Sequence, residues 1–230
     1  MKYLEVSEFS LINDALIWET PESKIHGKLE AYSCKSAGSD KKLLKQLETR
    51  YALDMGNGSV SPTDDQLRDI ISPLGSMDQS SSRKILFYLI GTLNLAWPDY
   101  DFSEVNPHQF DKQSNVSMVI NSINTSLYNM GNERIYKNLG LWQVVDSIIN
   151  LDDCVVYSYN PNDDDDPVDE ESEENAMFSM NYFFFNRKMK RMVYFTVRSI
   201  SPNADTASNE DLEGRIDAPS DDLIVGELEL

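Results

Sequence analysis

An α+β fold is predicted for this 230-residue chain: a single domain with a mostly antiparallel sheet of about five strands and helices packed on it. Three observations predict it. The periodicities run helix, two strands, several helices, then three strands, with no regular βαβ alternation. The two strand groups lie far apart in sequence, and neither could stand alone, so they must meet in one sheet. A hydrophobic content of 40%, with 11 Tyr, 9 Phe and 3 Trp, supplies the core that joins them.

Taken in order, Ser7–Leu16 sets Phe9, Ile12 and Leu16 at helical spacing, with Ser7 as the N-cap. ALIWET reads as a strand that turns at Pro21–Glu22–Ser23 into a second strand, Lys24–Lys35. Along that strand Ile25, Gly27, Leu29, Ala31 and Ser33 share one face, and His26, Lys28, Glu30, Tyr32 and Cys34 the other. Asp40–Tyr51 is a short charged helix with Leu43, Leu44 and Leu47 as its stripe. Residues 1–51 thus form the N-terminal part of the domain. Composition then shifts to Gly, Ser, Pro and Asp, which predicts a mobile linker over 52–82. Its Ser61–Pro62 and Ser72–Pro73 pairs suit proline-directed kinases, and Ser80, Ser81 and Ser82 lie beside Arg83, so these five serines are candidate phosphorylation sites.

The segment 83–202 is the C-terminal part of the same domain. RKILFYLIGTLNLAW is apolar almost all round, as a buried helix is, and Pro98 ends it before the tight turn PDYDFS. Val116–Met130 carries the stripe Val119, Ile120, Ile123 and Leu127; Leu141–Leu151 turns Trp142, Val145, Ile148 and Ile149 inward. VVYSYNP, SMNYFFFN and KRMVYFTVRSIS then read as three strands in β-branched and aromatic residues, with Asn186–Met189 turning the last hairpin. That turn is basic: Arg187, Lys188, Lys190 and Arg191 cluster there, a composition that fits a short nuclear import signal.

The basic turn is conspicuous because the formal net charge is -19. Nine acidic residues and no basic one fall in the loop 161–175, including Asp163, Asp164, Asp165 and Asp166. Nine more, against Arg215 alone, fall in 203–230, a tail expected to be disordered. What is left has 21 acidic and 19 basic residues, so the folded part is nearly neutral. Nothing approaches the ~18 apolar residues of a membrane span. MKYLEVSEFS does not read as a signal peptide, and two distant cysteines, Cys34 and Cys154, suit a reducing compartment. The expectation is a soluble intracellular protein with no membrane partner.

Catalysis is not indicated. His26 and His108 have no cysteine or second histidine at ligand spacing, and the phosphate-loop, nucleophile-elbow and dinucleotide motifs are absent. Asp99 and Asp101 in PDYDFS could hold a divalent cation, but aspartates that cap a turn account for them at least as well. Asp163–Asp166 lack the spaced oxygens and glycine of a calcium loop. No cofactor is expected. An RNA or single-stranded DNA binder that uses the basic turn and aromatic strands is the alternative from another class. Strands that fill a core explain NYFFFN and MVYFTV better, and the acidic chain repels phosphate, so no strong nucleic-acid binding is expected.

Three blocks resemble a known family, the Maf-type negative regulators of RNA polymerase III transcription. They are MKYLEVSEFSLINDALIWETPESKIHGKLEAYSCKSAGSDKKLLK, SRKILFYLIGTLNLAWPDYDFS, and VVYSYNP followed by an acidic loop and FSMNYFFFNRKMKRMVYFTVRSIS. The resemblance implies a single α+β domain and a repressor without catalytic activity. It implies binding to RNA polymerase III near its clamp, which blocks recruitment of the initiation factor TFIIIB under stress or nutrient limitation. It further implies control by TOR-linked and other kinases and by phosphatases, with shuttling between cytoplasm and nucleus. The family's import segment matches Arg187, Lys188, Lys190 and Arg191, and its acidic loop and tail match 161–175 and 203–230. Asp99, Asp101 and Asp163–Asp166 are candidate partner contacts.

Overall fold

The computed structural model describes residues 1–35, 40–56, 71–161 and 176–201. Its N-terminal unit grows from a strand edge that must be closed. Strand β3 (Lys24–Ser33) pairs along its whole length with a late strand on one side. On its other side β2 (Ile17–Glu19) covers residues 24–26, and β1 (Lys2–Leu4) covers residues 31–33. The gap between them is filled from α1 (Phe9–Ala15). The Leu16 carbonyl accepts from Gly27 N–H at 2.7 Å. The Asn13 amide accepts from Leu29 N–H at 2.7 Å and donates to the Leu29 carbonyl at 3.1 Å, as a strand would. Gly27 is required by this approach, because a Cβ there would stand 2.9 Å from Leu16 Cβ. Ser7 does not cap α1: its hydroxyl binds Glu8, which occupies the N-cap position without a side-chain cap bond.

The last three strands are β7 (Val155–Tyr159), β8 (Ala176–Asn186) and β9 (Arg191–Ile200). With the short edge strand β6 (Phe110–Lys112) they complete a seven-stranded antiparallel sheet in the order β1-β3-β9-β8-β7-β6, with β2 beside β3. The prediction of about five strands missed β1 and β6, each of three residues, too short for alternation to show.

Both faces of the sheet are covered by helices. On one lie α2 (Asp40–Gly56) and α3 (Ser80–Ala96), packed on Tyr32, Tyr157, Phe183, Phe185, Met192 and Tyr194. On the other lie α1, α4 (Val116–Asn129), α5 (Arg134–Lys137) and α6 (Leu141–Ile149), packed on Ile25, Leu29, Val156, Phe184, Val193 and Phe195. Strands buried on both faces read as continuous apolar runs, which is why NYFFFN has no polar alternation. Helix α3 is buried nearly all round, as its composition predicts, because α2 covers its outer side with Leu47 and Tyr51.

The stretch predicted as linker is partly folded at both ends. Helix α2 continues past Tyr51 to Gly56. From Ile71 a small hairpin forms, β4 (Ile71–Ser72) with β5 (Gly75–Ser76), and it sends Leu74 and Met77 into the α2–α3 face of the core. Gly75 turns it at φ 106°, a conformation that favours glycine. Helix α3 then begins at Ser80 rather than Arg83, with Gln79 at the N-cap. Sparse apolar residues in a Ser- and Pro-rich stretch concealed this hairpin.

Candidate functional site

The basic turn is built onto the end of a helix. Helix α6 stops at Ile149, where Asn150 takes a positive φ of 54° and the last carbonyls lose their helical donors. Two side chains of the β8–β9 hairpin answer them. Buried Asn186 donates from Nδ2 to the Ile149 carbonyl at 2.8 Å, and Arg191 donates from Nη1 to the Ile148 carbonyl at 2.8 Å. A cation at a helix C-terminus also meets the negative end of its dipole. Asn186 then closes the turn, its Oδ1 accepting from Met189 N–H at 3.0 Å.

The four cations therefore do different work. Arg191 is half-buried in β9 and holds α6, so it is not part of the exposed turn as predicted. Lys188 pairs with Asp153 at 2.7 Å. Arg187 and Lys190 are exposed and line a pocket of ≈ 370 Å³ beside the first turn of α3. Its floor is apolar (Cys34, Ile85, Tyr88, Phe185), and Ser80, Ser81 and Lys84 complete the rim. The turn itself is Arg187–Lys190, one residue later than predicted, because Asn186 is claimed by the α6 end.

Burial pushes the Cys34 thiol up to about 12, and burial with Asp153 and Asp146 pushes the half-buried Cys154 up to about 12. Neither thiol is a nucleophile at neutral pH. Alkylation by iodoacetamide at pH 8 is expected on the order of a thousandfold slower in native than in urea-unfolded protein. Because these acids are raised on folding, native stability falls as pH climbs from the ordinary thiol range toward about 12.

The candidate serines separate by burial. Ser72 is buried, donates to the Gly75 carbonyl at 2.8 Å and accepts from Leu74 N–H at 3.2 Å, so a kinase would have to open the hairpin. Ser82 is buried as well, inside the first turn of α3 against Gly75. These two are therefore set aside as sites in the folded protein. Ser80 and Ser81 are exposed; Ser61 lies outside the described residues. In PDYDFS, Asp101 Oδ1 accepts from Ser103 N–H at 2.9 Å, and the Ser103 hydroxyl and amide hold its carboxyl below the usual range. Asn94 closes the same turn on Phe102 N–H at 2.8 Å. Asp99 is exposed; Asp163–Asp166 lie outside the described residues. Among the described residues no three His, Cys, Asp or Glu side chains gather as a metal site, and no helix is long and apolar enough to cross a membrane.

A family model described as the Maf1 regulator matches residues 25–196. The chain belongs to the Maf1 regulator family. It is 41% identical over 202 residues to the repressor of RNA polymerase III transcription maf1 of Schizosaccharomyces pombe, spanning 87% of this chain and 83% of that protein. The repressor of RNA polymerase III transcription of Dictyostelium discoideum is 32% identical over 241 residues, spanning 87% of this chain and 85% of its own. The crystal structure of citrus MAF1 superposes with a TM-score of 0.60 at 34% identity, over 84% of this chain and 98% of that one. The resemblance read from the three sequence blocks is thus the right one.

Within this Maf1 fold, sequence reasoning found the four cations but missed what sorts them. Asn186 and the α6 carbonyls lie 37 residues apart, and nothing local marks the contact. Lys84, Ser80 and Ser81 join Arg187 and Lys190 only because α3 packs on a face of the sheet with its first turn beside the β8–β9 turn.

Proposed function

We propose that this chain represses transcription by RNA polymerase III, binding the polymerase itself and blocking recruitment of TFIIIB. The observation that carries the reading is likeness over almost the whole chain, 41% and 32% identity, to two proteins named as repressors of that transcription. Phosphorylation restrains the activity, and the protein moves between cytoplasm and nucleus with Arg187, Lys188, Lys190 and Arg191 as import residues. Repression through protein contact suits the chemistry: the described thiols are suppressed and Asp101 is engaged in its own turn.

The aromatic rings that a nucleic-acid platform would need are buried: Phe183, Phe184, Phe185, Tyr194 and Phe195 all lie under helices. That observation favours protein contact over base stacking.

Immobilised protein should capture RNA polymerase III from extract, and the unphosphorylated form should capture more than the phosphorylated one. Capture preferring the phosphorylated form would overturn the regulatory reading. The acidic loop contributes by lying near basic surfaces of the polymerase that otherwise meet DNA or an initiation factor. Deleting Asp163–Glu174 is then expected to weaken capture and flatten its salt dependence; unchanged affinity and salt slope would remove the loop from the mechanism.

A further inference from the structure

The pocket beside α3 has a charge that no described carboxylate answers. Lys84 comes from the helix, and Arg187 and Lys190 come from the β8–β9 turn, so three cations converge from two elements. Among the described residues none of them makes an ion pair, and none of the residues lining the pocket is a carboxylate. The neighbouring cations are already engaged: Arg83 donates to the Met77 and Asp78 carbonyls, each at 2.7 Å, and Lys188 holds Asp153. In a chain of net charge -19 this is a local excess of positive charge over an apolar floor. The same rim carries two hydroxyls, on Ser80 and Ser81, both exposed. They occupy the first turn of a 17-residue helix whose N-cap residue, Gln79, makes no side-chain cap bond.

We propose that Ser80 and Ser81 form a phosphorylation site whose phosphate is received by Lys84, Arg187 and Lys190 within the same molecule. The donor is a nucleoside triphosphate on a protein kinase. The serine oxygen attacks the γ-phosphorus, the new O–P bond forms and the β–γ bridging P–O bond breaks. The hydroxyl proton passes to the kinase's base and a nucleoside diphosphate leaves. The product carries about −1.5 to −2 charge at neutral pH, close to what the pocket lacks, and it sits at a helix N-terminus where an anion is stabilised. The phosphate joins α3 to the β8–β9 turn and withdraws Arg187 and Lys190, the two exposed cations of the turn that pair with no described carboxylate. Ser82, one residue on, is excluded by burial. This deepens the phosphorylation control proposed above, and its consequence for the polymerase rests on that reading; the receptor itself does not.

Phosphoserine installed by codon expansion at position 80 or 81 of the full chain, titrated by phosphorus NMR, tests the receptor directly. A free phosphoserine titrates near 6. Three converging cations should bring at least one of these phosphates about one pH unit or more below that. Lys84→Gln with Arg187→Gln should return it toward the free value, while the Lys190 backbone at φ 51° is left untouched. Arg187→Gln alone, at an exposed side chain, should return part of it. Titration near 6 at both positions would overturn the proposal. So would a low value that both substitutions leave unchanged, since that is a helix-terminus effect only. If the phosphate titrates low but polymerase capture is unaltered, the receptor stands and control of repression through it falls.

Discussion

Replacing Phe184 with Ala is expected to destabilise the fold by about 3–5 kcal/mol, a large share of the roughly 5–15 kcal/mol that holds a domain together. The ring is fully buried at 0% exposure in β8, between β7 and β9. It meets the Trp142 indole at a centroid distance of 5.8 Å, on the face covered by α1, α4, α5 and α6. Adjacent Phe183 points the other way and stacks on Tyr194 at 4.7 Å. A strand paired on both sides cannot shift to fill the space that Ala leaves, so the cavity remains and adds to the lost transfer energy. Urea unfolding followed by tryptophan fluorescence should show a lower midpoint with an unchanged slope. Phe178→Ala, on the same strand but 42% exposed, should stay within about 0.5 kcal/mol. A mild effect at Phe184 would contradict the two-faced burial of the central strands.

That two-faced burial marks where the sequence was legible and where it was not. Helix α3 could be read outright, because apolar residues all round a helix have one explanation. Strand β3 could be read face by face, since Ile25, Leu29 and Ala31 alternate with residues that include Tyr32. The aromatic runs read as strands that fill a core, and Phe183 and Phe184 are both fully buried, on opposite faces. Period two shows which residues share a face; it does not show whether a second helix layer covers the other. The short strands β1 and β6 and the four-residue helix α5 hold too few residues for any period.

The candidate site was legible only as composition. Four cations in a turn are visible in the sequence; that Arg191 answers α6 while Arg187 faces α3 is a tertiary fact. The serines show the same limit. Ser72 precedes a proline as Ser61 does, and Ser82 follows Ser80 and Ser81 in one run, but in the fold Ser72 and Ser82 are both buried.

Asn186→Ala is expected to cost about 2–4 kcal/mol, from two losses of roughly 1–3 kcal/mol each that overlap in part. The Ile149 carbonyl loses its donor at 2.8 Å, and Met189 N–H loses its acceptor at 3.0 Å. Asn186 is fully buried, so water does not replace the first contact without entering the core. Arg191→Ala removes the other clamp on the same helix end, its 2.8 Å bond to Ile148, and from a half-buried position should cost about 1 kcal/mol. The two are not independent. Asn186 and Arg191 are cross-strand partners that close one hairpin onto one helix terminus. Once the first is gone and the turn has lifted from α6, the second has less to hold. A double-mutant cycle by urea unfolding should therefore give a combined cost smaller than the sum by at least about 0.5 kcal/mol. Amide exchange should rise at Met189 and Lys190 in either single variant, and no further in the pair. Additivity within about 0.3 kcal/mol would mean that the turn and the α6 terminus are held separately, and that the basic turn keeps its shape without the helix beneath it.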